Sequence, residues 1–277
     1  MRALLLAGLL EFAVLPVRAA EPVAIVACAP GYPGSTVEAQ PAMDALAAAL
    51  IRTTGWPAGS VTAVYLPTEK EGLERLARPD AAVALVPLPF FLKHARALRL
   101  VARLQVETRG VGVSERWSLA AGKGRVTGPA SLAGATVSSL AGYAPDFVRS
   151  VLGSWGRIPE STRIVESSQV LSALRRAASG DGTAVLLDGA QAAALPSLPF
   201  AAEIEVVARS APLPTALVAS VGKRLPPRRW RQLETALLGL SADPRGADAL
   251  AAIRMVRFVP ADAAPLAEAR RLMESGR

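Results

Sequence analysis

Short apolar runs that stop at turn-forming residues, each followed by helical spacing, recur along this chain. Residues 23–29 (Val-Ala-Ile-Val-Ala-Cys-Ala) run into Pro30-Gly31-Tyr32-Pro33-Gly34-Ser35. Residues 81–86 run into Pro87-Leu88-Pro89-Phe90, and residues 135–137 into Ser138-Ser139-Leu140-Ala141-Gly142-Tyr143. Residues 183–187 run into Asp188-Gly189. Short apolar runs with β-branched residues, bounded by turn signals, predict buried strands. Between them lie helical stripes. Met43, Leu46 and Leu50 form one behind Pro41, whose fixed φ suits a first turn. Val170, Leu171, Leu174 and Ala178 form another, with Ser167 or Ser168 as cap and Gly180 as stop. Trp230, Leu233, Leu237 and Leu240 form a third after Pro226-Pro227. Strands alternating with helices predict an α/β fold. In open α/β sheets, ligands sit beyond the carboxyl ends of strands, so the four turns are the expected site of function.

Further strands are expected at 61–66, 98–106, 117–121, 163–165, 204–208, 216–221 and 255–258, with helices at 68–76, 90–97 and 145–152. Segments around 100–105 and 206–210 are the expected crossings between two lobes. The chain then leaves one lobe, builds a second, and returns. This assigns residues 20–104 and 209–277 to a discontinuous lobe one and 105–208 to lobe two.

The first residues read as a targeting segment. Met1-Arg2 precedes an apolar run over 3–17, and Val17-Arg18-Ala19 predicts cleavage after Ala19, hence residues 1–19 as a signal peptide. Glu11 and Pro16 interrupt the run, which is too short to span a bilayer. Ile25-Val26-Ala27-Cys28 formally fits a lipoprotein processing box, but Arg18, Glu21 and Pro22 separate it from the apolar run. Cleavage there would delete most of the first strand, so Cys28 is expected as a buried strand residue. One cysteine allows no disulfide framework and no cysteine metal cluster, and no metal or cofactor is expected. The charge is +8, from 31 Lys and Arg against 23 Asp and Glu. The cations are spread along the chain; only Lys223-Arg224 and Arg228-Arg229-Trp230-Arg231 are dense, and they read as a solvated helix start. Export argues against nucleic acid as a partner. His94 is the only histidine, expected to face solvent, so there is no Ser-His-Asp or zinc arithmetic and no enzyme is expected. Lys123 between Gly122 and Gly124 lacks the spacing of a phosphate loop.

Five segments follow one another in a telling order: Ala82-Val83-Ala84-Leu85-Val86-Pro87-Leu88-Pro89-Phe90-Phe91; Ser131-Leu132-Ala133-Gly134-Ala135-Thr136-Val137; Gly142-Tyr143 before a helix; a strand ending in Asp188; and Arg209-Ser210-Ala211-Pro212-Leu213-Pro214. In this order the chain resembles the phosphate/phosphite/phosphonate-type substrate-binding proteins of ABC importers, members of the type 2 periplasmic binding fold. The resemblance covers nearly the whole chain after the leader. It implies two α/β lobes joined by two crossover strands and closing on a small ligand in the cleft. It further implies a soluble, monomeric periplasmic protein that takes an oxyanion (phosphonate, phosphite or phosphate) to a membrane permease. The alternative is a ligand-sensing protein of the same fold that partners a membrane receptor or redox complex.

Such proteins grip anions with hydroxyls and with backbone amides at helix N-termini, where orphan N–H groups and the helix dipole favour negative charge. Ser138, Ser139, Gly142 and Tyr143 are the expected grip of lobe two, with Tyr32 and Ser35 opposite in lobe one. Phe90 is a candidate wall, and Gln105 a hinge-strand residue that could face the ligand. Asp188 either accepts from a ligand amine or hydroxyl or caps the helix after it; Tyr32 either touches ligand or packs. The sequence departs from the family at Ser139-Leu140-Ala141-Gly142-Tyr143, where phosphonate binders carry a Ser-Thr-Ser run: two of three hydroxyls are missing. That departure opens the site to a smaller, flatter or less charged ligand.

Overall fold

The computed structural model describes residues 22–275; the expected leader and its cleavage site lie outside the described residues. The first half builds β1 (Val23–Cys28), α1 (Thr36–Thr54), β2 (Val61–Leu66), α2 (Glu69–Ala77), β3 (Ala81–Pro87), α3 (Leu88–Leu98) and β4 (Leu100–Thr108). A two-residue strand β5 (Ser114–Glu115) then leads to β6 (Ser118–Gly122), β7 (Thr136–Ser139), α4 (Pro145–Ser150), β8 (Arg163–Glu166), α5 (Val170–Ser179), β9 (Thr183–Leu187), α6 (Gly189–Ala194) and β10 (Ile204–Arg209). The return runs through β11 (Leu213–Pro214), β12 (Ala216–Val221), α7 (Pro227–Gly239), α8 (Pro244–Ala252), β13 (Met255–Pro260) and α9 (Ala263–Ser275).

These strands form two large sheets, in the orders β13-β4-β12-β3-β1-β2 and β10-β6-β9-β7-β8. Each has a parallel core, β2-β1-β3 in the first and β8-β7-β9 in the second, with antiparallel strands added at one side. Parallel strands need crossover helices on their faces, which explains why β1 and β3 are buried at every position. Between the sheets the chain passes twice, through β5 and β11, which pair antiparallel as Leu213 with Glu115 and Pro214 with Ser114. The passage therefore falls beyond the expected 100–105 and 206–210. Strand β4 stays in the first sheet to Thr108 because β13 pairs with it from Leu104 onward, and β10 stays in the second as partner of β6.

Local chemistry sets the helix starts. Ser35 and Glu38 form a capping box, so α1 begins at Thr36 and Pro41 lies inside it rather than in its first turn. Gly55 ends the helix at φ 66°, the left-handed conformation that glycine adopts without steric cost. Met43, Leu46 and Leu50 pack with Leu233 and Leu237 of α7 on one face of the first sheet. On its other face, one apolar cluster runs through the waist, joining Val26, Phe90 and Phe91 to Trp117, Phe147 and Leu186. Helix α9 adds Leu266 and Ala269 to that cluster and packs against both α3 and α4, so the last helix touches both lobes. Each large apolar side chain buried there contributes about 1.5–3 kcal/mol.

Packing is tight under the first sheet. Gly72 of α2 faces Cys28 at the end of β1, and a Cβ on Gly72 would sit 2.1 Å from the Cys28 sulfur. Cys28 is fully buried, as expected, and its thiol donates to the Thr68 carbonyl. Gly72→Ala is therefore expected to cost about 1–3 kcal/mol by overpacking. Urea unfolding of the variant measures this; a loss within ~0.5 kcal/mol, the range of a neutral surface change, would mean the helix moves away freely.

Candidate functional site

The carboxyl ends of β1, β2 and β3 face those of β7, β8 and β9, and the turns after them approach closely. Gly31, in the turn after β1, lies against the backbone of Leu140: a Cβ there would stand 2.6 Å from the Leu140 carbonyl oxygen. With φ at 78° as well, this position excludes any side chain on two counts. Beside it the Tyr32 hydroxyl donates to Asp188 Oδ2 at 3.1 Å, a hydrogen bond from one lobe to the other. A third bridge is made by Lys93 of α3, whose Nζ donates to the Tyr143 carbonyl at 2.5 Å and lies over the Tyr143 ring. Outside these contacts lies an open cavity of about 620 Å³. Residues 31–34 and Pro67 line it from lobe one, and Glu166, Ser167, Ser168 and Gln169 from lobe two.

The site is rich in carboxylates. Asp188 ends β9, and both readings of it hold at once: Oδ1 accepts from the Gln191 amide as a helix cap while Oδ2 takes the Tyr32 hydroxyl. Glu115, on the crossover strand β5, accepts from the Gly189 amide at 2.8 Å. Glu115 and Asp188 are both buried. Burial and the neighbouring Asp188 push Glu115 up to about 8, only partly offset by the Gly189 amide. Burial also raises Asp188, against the hydrogen bonds it accepts. Burial and the two carboxylates push the Tyr32 phenol up, so it remains a donor. At the other flank Glu69 receives Lys93 at 2.7 Å and His94 at 2.6 Å. Burial pushes Glu69 up, but those two partners outweigh it and hold its carboxyl below the usual range. Partial desolvation and then Glu69 raise Glu166, with Lys93 opposing.

The residues expected from sequence are distributed unevenly. Tyr32, Asp188, Gly142 and Tyr143 meet at the interlobe contact. Gly142 packs so closely on β8 that a Cβ would lie 2.2 Å from the Glu166 amide nitrogen. The Tyr143 hydroxyl is buried with no hydrogen-bond partner. Ser139 is fully buried, donating to the Leu186 carbonyl and accepting from the Ala141 amide, so its hydroxyl is committed to the turn. Ser138 lies in β7 with its neighbours Val165 and Val185 across the ladder, and it is buried. Ser35 is exposed, its hydroxyl donating to Glu38 within the capping box. Phe90 is a core residue stacked near His94. Gln105 is turned away from the cleft, because its Oε1 accepts from the Asp262 amide beside β13. His94 is not solvent-facing: its side chain is 13% exposed and held by Glu69. Sequence reasoning missed Glu115, Glu166 and Lys93. Only their position just before or after a predicted strand-end turn could have marked them.

A family model described as the periplasmic substrate-binding protein of phosphonate ABC transporters matches residues 157–266. A search among curated proteins finds no match. Solved structures of similar fold include XAC2383 from Xanthomonas citri bound to chloride ion, with a TM-score of 0.70 at 16% identity over 92% of this chain and 98% of that one. A binding protein component of an ABC phosphonate transporter, PA3383 from Pseudomonas aeruginosa, gives 0.66 at 14% identity over 92% and 87%. PhnD1 from Prochlorococcus marinus in complex with methylphosphonate gives 0.63 at 10% identity over 92% and 98%. The chain thus has the two-lobed α/β fold of type 2 periplasmic binding proteins and is similar to their phosphonate-type members.

The Glu115 environment fixes a pH dependence. Its carboxyl is raised from about 4.5 to about 8, so the folded chain holds a proton that the unfolded chain has released across that interval. Stability contributed by this group is full below pH 4.5 and is lost as pH rises through 8. Glu115→Gln is expected to flatten the decline of unfolding free energy between those limits, measured by chemical denaturation at several pH values. An unchanged slope would mean that Glu115 is solvated.

Proposed function

We propose that this chain is a solute-binding protein that captures a small ligand between its lobes and hands it to a membrane transporter without chemical change. The observation that carries this reading is the geometry of the cleft. Strand-end turns of two parallel sheets face each other, contact at Gly31–Leu140 and Tyr32–Asp188, and leave a cavity of about 620 Å³ beside them. Two lobes linked covalently through the β5–β11 ribbon can rotate about it, and a ligand that touches both lobes favours the closed form.

The electrostatics narrow the ligand class. Three acids, Glu69, Glu166 and Asp188, stand around the interlobe contact beside the Glu115 carboxyl, which keeps its proton near neutral pH, while Lys93 is already held by Glu69. A bare oxyanion would meet their repulsion. Yet Gln169, which precedes α5 and gives it no side-chain cap, lines the same cavity, so the uncapped first amides of α5 lie next to it and suit an acceptor. Both features together favour a zwitterion: an oxyanionic end at those amides and an ammonium end toward the carboxylates. An aminoalkylphosphonate has that chemistry.

The reading is tested by thermal shift and calorimetry with an aminoalkylphosphonate, methylphosphonate, phosphate and a simple amino acid. The zwitterion is expected to bind best, stabilising the fold by about 2.7 kcal/mol at a hundredfold excess over Kd. Asp188→Asn is expected to lose at least ~tenfold in affinity for it, about 1.4 kcal/mol. Tighter binding of phosphate than of any amine would overturn the ligand class. No shift with any small solute would overturn the function.

A further inference from the structure

The end of lobe one opposite the cleft gathers cations from segments far apart in sequence. Val221 closing β12 pairs with Leu100 opening β4, and the Gly222 amide donates to the Arg99 carbonyl. The C-terminal turn of α3, the loop into α7 and the C-terminal turn of α2 therefore meet there. Arg224 joins them by donating to the carbonyls of Leu76, Arg78 and Ala81. Around it stand Arg78, Arg96, Arg99, Lys223, Arg228 and Arg231, all exposed, and among the described residues none of these six forms an ion pair. The nearby acids Asp80 and Asp243 are taken by Arg75 and Arg52. On the same end Trp56, after α1, is half-buried with its Nε1 on Gln232 and the Arg229 guanidinium over its ring.

Two observations say what covers this surface. First, its net charge is strongly positive, since the acids Asp80 and Asp243 are each matched by an arginine and the six cations remain, which fits an extended anionic partner. Second, Trp56 stands half-buried at the same end. A tryptophan with an apolar body and a polar tip is at home in the interfacial zone of a bilayer.

We infer that the base of lobe one is a docking surface for an anionic phospholipid bilayer. The cleft lies at the opposite end of the strands, so a chain resting on this face keeps its mouth open to solute. The surface does not depend on the identity of the ligand.

Co-sedimentation of the purified chain with vesicles of phosphatidylglycerol in phosphatidylcholine tests this, with pure phosphatidylcholine vesicles as comparison. Binding is expected only to the anionic vesicles and is expected to vanish in 0.5 M salt, where the Debye length falls to roughly 4 Å. The triple variant Arg96→Glu, Lys223→Glu, Arg228→Glu is expected to lose at least ~tenfold in partitioning, given about 1 kcal/mol per basic residue at such a surface. Its melting temperature and solute binding are expected to be unchanged. The matched variant Arg157→Glu, Arg163→Glu, Arg175→Glu on lobe two is expected to keep most of the binding. Equal loss from both triples would show a general charge effect and overturn the assignment. So would equal binding to neutral vesicles, or preference for duplex DNA over anionic vesicles at equal salt.

Discussion

The hydrogen bond from Tyr32 to Asp188 is the contact on which the site depends, because it joins the side chains of the two lobes at the mouth of the cleft, away from the crossover ribbon and the apolar waist. A phenol donating to a buried carboxylate is a charge-assisted bond, stronger than a neutral one. Its strength also makes it exchangeable. A ligand that offers Asp188 a better donor can replace the tyrosine without leaving the carboxylate unsatisfied, and leaving it unsatisfied is the costly outcome. Glu115 sits on the ribbon itself and holds the Gly189 amide, so the pivot and the helix that Asp188 caps are one unit. The mechanical element and the recognition element share residues.

The same logic explains why the jaws are built from backbone. Gly31 and Gly142 each admit a neighbouring main chain to a distance that any Cβ would forbid. At Gly31 this lets strand-end turns mate across the cleft, and at Gly142 it seats the Leu140–Tyr143 turn on β8 within lobe two. Ser139 supports this by spending its hydroxyl on the Ala141 amide and the Leu186 carbonyl, which fixes the shape of the Leu140–Tyr143 turn. Its contribution to recognition is thus geometric. The hydroxyls absent after it leave the electrostatics of the cleft to Asp188, Glu115, Glu69 and Glu166.

Much of the fold was legible because its signals are local. Apolar runs of four to seven residues, such as β1, β3 and β9, cannot be amphipathic helices, and Gly180 marks the end of α5, where the backbone turns left-handed. Pro41 misled because a capping box that begins six residues before it, at Ser35, outranks a proline's preference for the first turn. The crossings were misplaced because strand length reads the same whether a strand ends in its own sheet or passes on; only the pairing of β4 with β13 decides it. At the site, Tyr32, Tyr143 and Asp188 were legible from their place in strand-end turns. Gln105 and His94 were not, since each is held by a partner distant in sequence, Asp262 and Glu69. Glu115 was invisible for the same reason: its environment is made by residues 73 or more positions away. The basic base of lobe one, likewise, is scattered in sequence and assembled only by the return of the chain through β12.

Relative motion of the lobes is the claim most directly open to measurement. Val37 and Leu171 are exposed at the two sides of the cleft mouth and can carry spin labels, while the native Cys28 is buried with its thiol pushed up to about 12 and stays unlabelled. Pulsed dipolar spectroscopy between those labels is expected to give at least two distances in the unliganded chain, collapsing to the shorter one when an aminoalkylphosphonate is added. A single distance that no solute changes would contradict the account.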